Sequence, residues 1–320
     1  MSKKRITSAV ARGRIQKKTA HIPDGSCIRE GLVITSYNRK VLIEDVDGIQ
    51  RVCFLRSHIT PLVAGDRVQS QEDVSGQGIV VHCHPRTSVL GRPDQRGHYK
   101  VIAANITQLL IVIAPLPEVS WVLLDRYLIM AEHLKIPACI ILNKTDLACD
   151  EVRAHLLAVY APLGYEIVFT QHSDTLCPAF LSALKDQISV FVGQSGVGKS
   201  SLINRLLPDM ESSIRTGPLS VNGAFGTHTT RNARYYAGPW GGAVIDSPGV
   251  RDFLLWEMPT AEIAWGYREF RPYIEQCKFR NCEHHRTPGC SLTVAVKNNS
   301  ISSLRYQNYV KIAGIVLAQD

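Results

Sequence analysis

The apolar positions of this chain change rhythm twice. Between residues 31 and 93 they come as short β-branched runs, at 31–35, 40–44, 50–55, 66–68 and 78–82, divided by turn signals such as Asp47-Gly48 and Ala64-Gly65-Asp66. Five short strands in so compact a stretch predict a small closed barrel of the OB type. From Asn105 onward, continuous apolar runs alternate with helical spacing. Residues 107–114 read as a buried strand ending at Pro115, residues 121–134 repeat apolar side chains at helical intervals, and 136–142 form the next strand. Further strands are predicted at 166–169, 188–192, 231–236 and 242–245. Alternation of this kind makes a parallel sheet covered by helices. Beyond Asp252 the pattern is mainly helical. The expected fold class is therefore multidomain, with an all-β OB-type barrel over residues 26–93, an α/β domain over 94–252 and a mainly α domain over 253–320, all preceded by a flexible arm at 1–25.

Composition adds compartment and partner. With 320 residues, 45% of them hydrophobic, the chain has enough apolar material for more than one core. No apolar run approaches the ~20 residues that cross a bilayer, so no membrane partner is expected. The basic opening residues are not followed by a hydrophobic signal segment, which points to the cytoplasm. Nine cysteines at scattered spacing suit reduced thiols plus a metal site better than a disulfide framework. The net charge of +8 is concentrated at the start, where Lys3, Lys4, Arg5, Arg12, Arg14, Lys17 and Lys18 stand with no acid among them. An arm of that kind suits a polyanion, and nucleic acid is the expected one.

The most specific stretch is Gly193, Gln194, Ser195, Gly196, Val197, Gly198, Lys199 and Ser200. It follows the strand at 188–192 and opens a helix at Ser201, the context a phosphate-binding loop requires. Glycines let successive backbone amides turn toward phosphate oxygens, and the helix adds its positive N-terminal end. Lys199 can reach the β- and γ-phosphates, and Ser200 offers a hydroxyl to Mg2+. A second motif, Asn143-Lys144-Thr145-Asp146, stands at the carboxyl end of the strand at 136–142, where ligands bind in such sheets. Asn-Lys-x-Asp is the guanine-reading motif of GTPases. The Asp146 carboxylate can accept from guanine N1–H and the 2-amino group, a pairing adenine does not offer. Asn143 is expected to hydrogen-bond the purine edge, with the Lys144 stem along the ring. A third motif, Asp246-Ser247-Pro248-Gly249, ends the strand at 242–245; in a GTPase the aspartate of such a motif orients Mg2+ through water, and the Gly249 amide can sense the γ-phosphate. Thr170-Gln171-His172-Ser173, where a second base-contacting loop belongs, matches poorly, and no side chain is assigned there.

In the helical region, Cys277, Cys282, His284 and Cys290 supply three thiolates and an imidazole. Such a set closes a tetrahedral Zn2+ site with no position left for substrate, so one structural ion per chain is expected. His285 is an alternative to His284. Cys27, Cys53, Cys83, Cys139, Cys149 and Cys177 have no partner at ligand spacing.

The nucleotide motifs run in an unusual order. In a conventional GTPase the phosphate loop comes first and the guanine motif last, whereas here the guanine motif leads and Asp246-Ser247-Pro248-Gly249 closes the series, a circular permutation of the same sheet. A barrel, a permuted GTPase domain and a Cys/His region in that order closely resemble the small ribosomal subunit-dependent GTPase A (RsgA) family. Local signatures agree: Ala103-Ala104-Asn105-Ile106, Asp125-Arg126-Tyr127-Leu128, Asn143-Lys144-Thr145-Asp146-Leu147 and Gly226-Thr227-His228-Thr229-Thr230. The resemblance implies a monomeric GTPase acting in late maturation of the small (30S) ribosomal subunit and contacting its rRNA. It also implies slow hydrolysis that the subunit accelerates, with release afterwards. Its nucleotide set would be Asn143, Lys144, Thr145, Asp146, the loop from Gly193 to Ser200, Ser201, Asp246 and Gly249. Ser247 departs from the commoner threonine, and Thr229 and Thr230 compete for an Mg2+-sensing role. Alternatives of other classes are an RNA-binding assembly factor with a degenerate nucleotide site and a P-loop ATPase; within the GTPase class the nearest rival is a translation factor acting on the large subunit or the assembled ribosome.

The permutation joins the third motif directly to the Cys/His region, so loss of the γ-phosphate is expected to be felt there. Val250 follows Gly249, where Ras-like enzymes carry a water-orienting glutamine; valine cannot hydrogen-bond, so the isolated enzyme is expected to be slow. By the resemblance, His228 positions the attacking water once the subunit is bound. His228→Ala is then expected to abolish subunit-stimulated turnover while sparing GTP affinity, read by phosphate release and nucleotide titration; unchanged stimulation removes His228 from the mechanism.

Overall fold

The computed structural model describes residues 27–56, 58–93, 98–172, 175–208, 232–246, 258–280, 282–285 and 287–314. The basic arm, His228, Thr229, Thr230, Ser247, Gly249 and Val250 lie outside the described residues.

Strands β1 (Arg29–Tyr37), β2 (Lys40–Asp45), β3 (Gln50–Leu55), β4 (Arg67–Glu72) and β5 (Gly78–Cys83) follow the five predicted runs. β1 pairs antiparallel with both β2 and β4, β2 with β3, β3 parallel with β5, and β5 antiparallel with β4, so the circuit closes into a barrel. β1 is long enough to take a third neighbour as well, pairing β4 at Arg29–Leu32 and β12 (Arg234–Ala237) at Thr35, with a register shift against β2 between Val33 and Thr35. Val33, Val41, Ile43, Cys53, Leu62, Val68 and Val80 fill the interior.

A hairpin absent from the sequence reading, β6 (Val89–Pro93) with β7 (Tyr99–Ala104), straddles the boundary expected after residue 93. Beside it the signature Ala103-Ala104-Asn105-Ile106 acts as a joint. Asn105, at φ 56°, donates its amide N–H to Gly65 O at 2.9 Å and accepts from the Thr87 backbone N–H at 2.8 Å. Gly65 permits the approach, since a Cβ there would lie 2.2 Å from Ala104 O. Next to it the fully buried Asp66 takes both prongs of the Arg86 guanidinium, at 2.7 and 2.8 Å.

The nucleotide sheet has the order β10 (Glu166–Phe169), β9 (Ala138–Leu142), β8 (Gln108–Ile113), β11 (Ile188–Val192), β13 (Ala243–Asp246), β12 (Arg234–Ala237). All its pairings are parallel except that of β12 with β13. Because side chains alternate faces along a strand, Leu109, Ile111 and Ile113 of β8 join one core while Leu110 and Val112 join the other. The first core is covered by α1 (Trp121–Leu134) and α2 (Asp150–His155). The second is covered by α3 (Pro178–Leu184) and α4 (Lys199–Leu206). The strand order reverses between β8 and β11, the switch point at whose carboxyl ends such sheets hold their ligands.

The C-terminal region contains α5 (Thr260–Trp265), α6 (Arg271–Ile274), α7 (Ser291–Lys297) and α8 (Ser303–Ile312). Helix α1 is buried on almost every side because it serves two cores: Leu124, Tyr127 and Leu128 face the sheet, while Ile129 packs with Ile263, Tyr267, Phe270 and Tyr309. An ionic cluster fastens the two. Arg305 of α8 and Asp125 of α1, 1% and 0% exposed, are in direct contact. Asp125 also accepts from Tyr160 Oη at 2.9 Å and Asn308 Nδ2 at 2.7 Å, and Arg305 reaches Glu269 at 2.7 Å. Burial would lower the Arg305 pKa, but the Asp125 and Glu269 carboxylates hold it well above its usual value. Nearer the end of α1, Glu132 takes Arg268 and Arg271 at 2.6 Å each. Arg305→Met removes the charge and strands Asp125, so a loss of about 3–5 kcal/mol in urea unfolding is expected. Adding Asp125→Leu to it should recover part of that loss; a single variant as stable as the parent would contradict the account.

Candidate functional site

Gly193 leaves the end of β11 at φ 139°, and a Cβ there would sit 2.1 Å from Val112 O, so only glycine lets the loop turn against β8. Gly198 caps α4 at φ 97°, where a Cβ would meet Asn143 Nδ2 at 2.3 Å. Between them Val197 is buried in the sheet core, while Ser195 and Gly196 are exposed, as are Ser200 and Ser201 in the first turn of α4. Lys199 is 8% exposed and its ammonium donates to Gly193 O at 2.6 Å and to Gln194 O. The ammonium is thus held against the backbone that begins the loop. Gln194 straps the loop to the segment before α1: its amide accepts from Ser120 N–H at 3.0 Å and donates to Glu118 O at 3.1 Å.

The residues read as a guanine motif stand at the end of β9 and reach the same loop. Asn143 Nδ2 donates to Val197 O at 2.9 Å, and Lys144, at φ 61°, donates to Gly196 O at 2.7 Å and Leu116 O at 2.9 Å. Two of these bonds run to the loop backbone and the third to the segment after β8, a bracing role that the sequence reading, which turned both side chains toward the base, did not include. Thr145 donates from backbone and hydroxyl to Thr170 O, at 3.1 and 3.2 Å. Asp146 is exposed, and its carboxylate accepts from the His172 backbone N–H at 3.3 Å. Asp246 ends β13, the strand beside β11.

Two contributors escaped sequence reasoning. Thr170, 5% exposed at the end of β10, donates its hydroxyl to Asn143 Oδ1 at 2.9 Å and so fixes which way the amide faces. The other is the Gln194 strap; the only signal for it was Ser120, whose hydroxyl caps α1.

The second constellation is the Cys/His cluster. One donor atom from each of Cys277, Cys282, His284 and Cys290 lies within 4.8 Å of every other. Cys277 Sγ is 3.4 Å from His284 Nδ1, and Cys290 Sγ is 3.9 Å from both Cys277 Sγ and His284 Nδ1. Tetrahedral bonds of ~2.3 Å to sulfur and ~2.0 Å to nitrogen put donors roughly 3.5–3.8 Å apart, so the set fits a metal ion. His284, and not His285, belongs to it. Burial, with the neighbouring Cys282 and Cys277, pushes the Cys290 thiol up to about 11, so a bound cation displaces a proton there. Helix α8 secures the cluster, with Tyr306 Oη donating to His284 O at 2.9 Å and Tyr309 Oη to Glu283 O at 2.8 Å.

Known proteins resemble the chain in both sequence and fold. The RsgA GTPase family model matches residues 83–256. The small ribosomal subunit biogenesis GTPase RsgA of Proteus mirabilis (strain HI4320) is 43% identical over 97% of this chain and 90% of its own length. A Vibrio parahaemolyticus protein, small ribosomal subunit biogenesis GTPase RsgA 1, is 44% identical over 89% and 83%. Among solved structures, YjeQ from Thermotoga maritima matches with a TM-score of 0.73 at 29% identity, covering 92% of this chain and all of that one. YloQ, described as a circularly permuted GTPase, matches at 0.70 and 27% identity, covering 90% and 95%. With the family model matching more than half of its residues and relatives above 40% identity matching along almost its whole length, this chain belongs to the RsgA GTPase family.

Proposed function

We propose that the chain hydrolyses GTP while bound to the small ribosomal subunit late in its maturation, the subunit stimulating hydrolysis and hydrolysis releasing the protein. The observation that carries this reading is the bond from Asn143 to Val197 O, which spans 54 residues of sequence and brings a guanine motif and a phosphate loop to one end of one sheet. The names of the relatives, small ribosomal subunit biogenesis GTPases, supply the partner. The basic residues of the arm offer rRNA phosphates their counter-charge.

In this reading the amides from Gly193 to Ser201 take the phosphates, and Lys199 swings from Gly193 O toward the β- and γ-oxygens. Asp146 presents its carboxylate to guanine N1–H and the 2-amino group, while Asn143, Lys144 and Thr170 keep the loop and the base-reading strand end in register. The Ser200 hydroxyl and, through water, Asp246 would hold Mg2+, which supplies charge neutralisation between the β- and γ-phosphates. Gly249 senses the γ-phosphate and His228 orients water. Three sulfur donors and one imidazole suit Zn2+ in a closed structural role at Cys277, Cys282, His284 and Cys290. The arm at 1–25, barrel at 26–93, GTPase domain at 94–252 and zinc-binding domain at 253–320 then act as one cytoplasmic monomer.

Sedimentation through sucrose with a nonhydrolysable GTP analogue should carry the chain with free small subunits; migration with large subunits or assembled ribosomes, or competition of ATP for the nucleotide site, would sink the reading. Metal analysis should find one zinc per chain. Cys290→Ser is expected to lower the zinc content by more than half and the melting temperature by several degrees, and full zinc retention would remove the cluster as its ligand set.

A further inference from the structure

Helix α4 begins at the phosphate loop and ends beside the base-reading loop, and one side chain there joins them. Arg205, in its last turn, donates Nη1 to Gln171 O and Nη2 to Thr175 O, each at 3.2 Å. Between those carbonyls lies His172, whose backbone N–H donates to the Asp146 carboxylate at 3.3 Å. We infer that Arg205 is a positioning residue for guanine recognition, acting on Asp146 through the Gln171, His172 and Thr175 backbone; the inference rests on the guanine reading proposed above.

The chemistry favours this task over a plain surface bond. A guanidinium is a rigid planar fork, so two carbonyls on its two prongs are fixed relative to each other as well as to the helix. Asp146 is exposed, and a free carboxylate samples several rotamers. Reading guanine needs both carboxylate oxygens directed at two adjacent N–H groups at once, a narrower demand than a single hydrogen bond makes. The His172 amide selects one carboxylate orientation, and that amide is only as well placed as the backbone carrying it. Since α4 also opens with Lys199 and Ser200, the same helix sets the distance between phosphate and base contacts. A cation in the last turn of a helix also complements the helix dipole, a purely structural benefit. The two roles give different results with altered bases.

Inosine diphosphate is guanosine diphosphate without the 2-amino group, so it gives Asp146 one partner instead of two. Titration of the full-length chain should show GDP preferred over IDP by about tenfold or more, the worth of one charge-assisted hydrogen bond. Arg205→Ala is expected to weaken GDP roughly tenfold and IDP far less, bringing the ratio to within about threefold. Arg205→Lys keeps the charge but donates from one centre, and should fall between the two; it also decides the matter if the alanine variant does not fold. A GDP to IDP ratio unchanged in the variants, whether both affinities fall together or neither moves, overturns the proposal and leaves the guanine reading standing. If the parent chain itself fails to prefer GDP over ADP, the guanine reading falls and the role of Arg205 falls with it.

Discussion

The side-chain amide of Asn143 is bonded at both ends, to Val197 O and to Thr170 Oγ1, and through it the ends of β9, β10 and β11 are tied together. Nearly everything at the carboxyl edge of the sheet depends on this one group. It is 6% exposed, and the position of Gly198 leaves no room for a bulkier loop beneath it. Removing it would leave a carbonyl and a hydroxyl without their partner, each a penalty of ~1–3 kcal/mol in a buried setting. The site is therefore built as an interlocked set, in which Lys144 and Gln194 fasten the phosphate loop to its surroundings from two further directions. Holding so many backbone groups in advance reduces the ordering that a nucleotide must impose when it binds.

Helix α1 carries this rigidity to the other end of the molecule. Its first residue follows Ser120, which Gln194 holds against the phosphate loop, and its body is clamped to α8 by Asp125 and Arg305. Helix α8 in turn grips the Cys/His cluster through Tyr306 and Tyr309. A buried ion pair adds little net stability over a well-packed apolar contact, but it tolerates few alternative alignments. The C-terminal region thus has one seating on the nucleotide sheet.

Much of this was legible in the sequence, because it is local. The continuous apolar run of β8, the five barrel strands, the phosphate loop and the Asn143–Asp146 motif all write their physics into adjacent residues, and the structure puts them where the sequence pattern says. What was not legible is long-range or atypical. The β6–β7 hairpin contains Gly91, Pro93 and a pair of alanines, none of which favours a strand, and it forms because the two segments pair with each other. Asp125 and Arg305 are 180 residues apart, and nothing near either announces a buried partner. His284, which spacing offered with His285 as its alternative, is the one the structure gathers with the thiols. Thr170 and Arg205 act on carbonyls and amides whose positions exist only once the sheet has formed.

The barrel and the nucleotide sheet meet at one point of the ladder. Thr35 of β1 is paired with Arg234 of β12, and two side-chain bonds reinforce the meeting: Thr35 Oγ1 to Ala233 O at 2.9 Å and Asn232 Nδ2 to Ser36 O at 2.7 Å. That contact makes eleven strands continuous, and it takes up the first residue on the flank of β12, the outermost strand of the nucleotide sheet. An uncovered strand flank offers unpaired N–H and C=O groups to any neighbouring chain. At the opposite flank β10 is only four residues long, with Arg153 stacked 4.3 Å over the Phe169 ring, a short and cationic border. At Arg234 the other border is already taken by the barrel, so there the nucleotide sheet passes into a second unit instead of ending in open backbone groups.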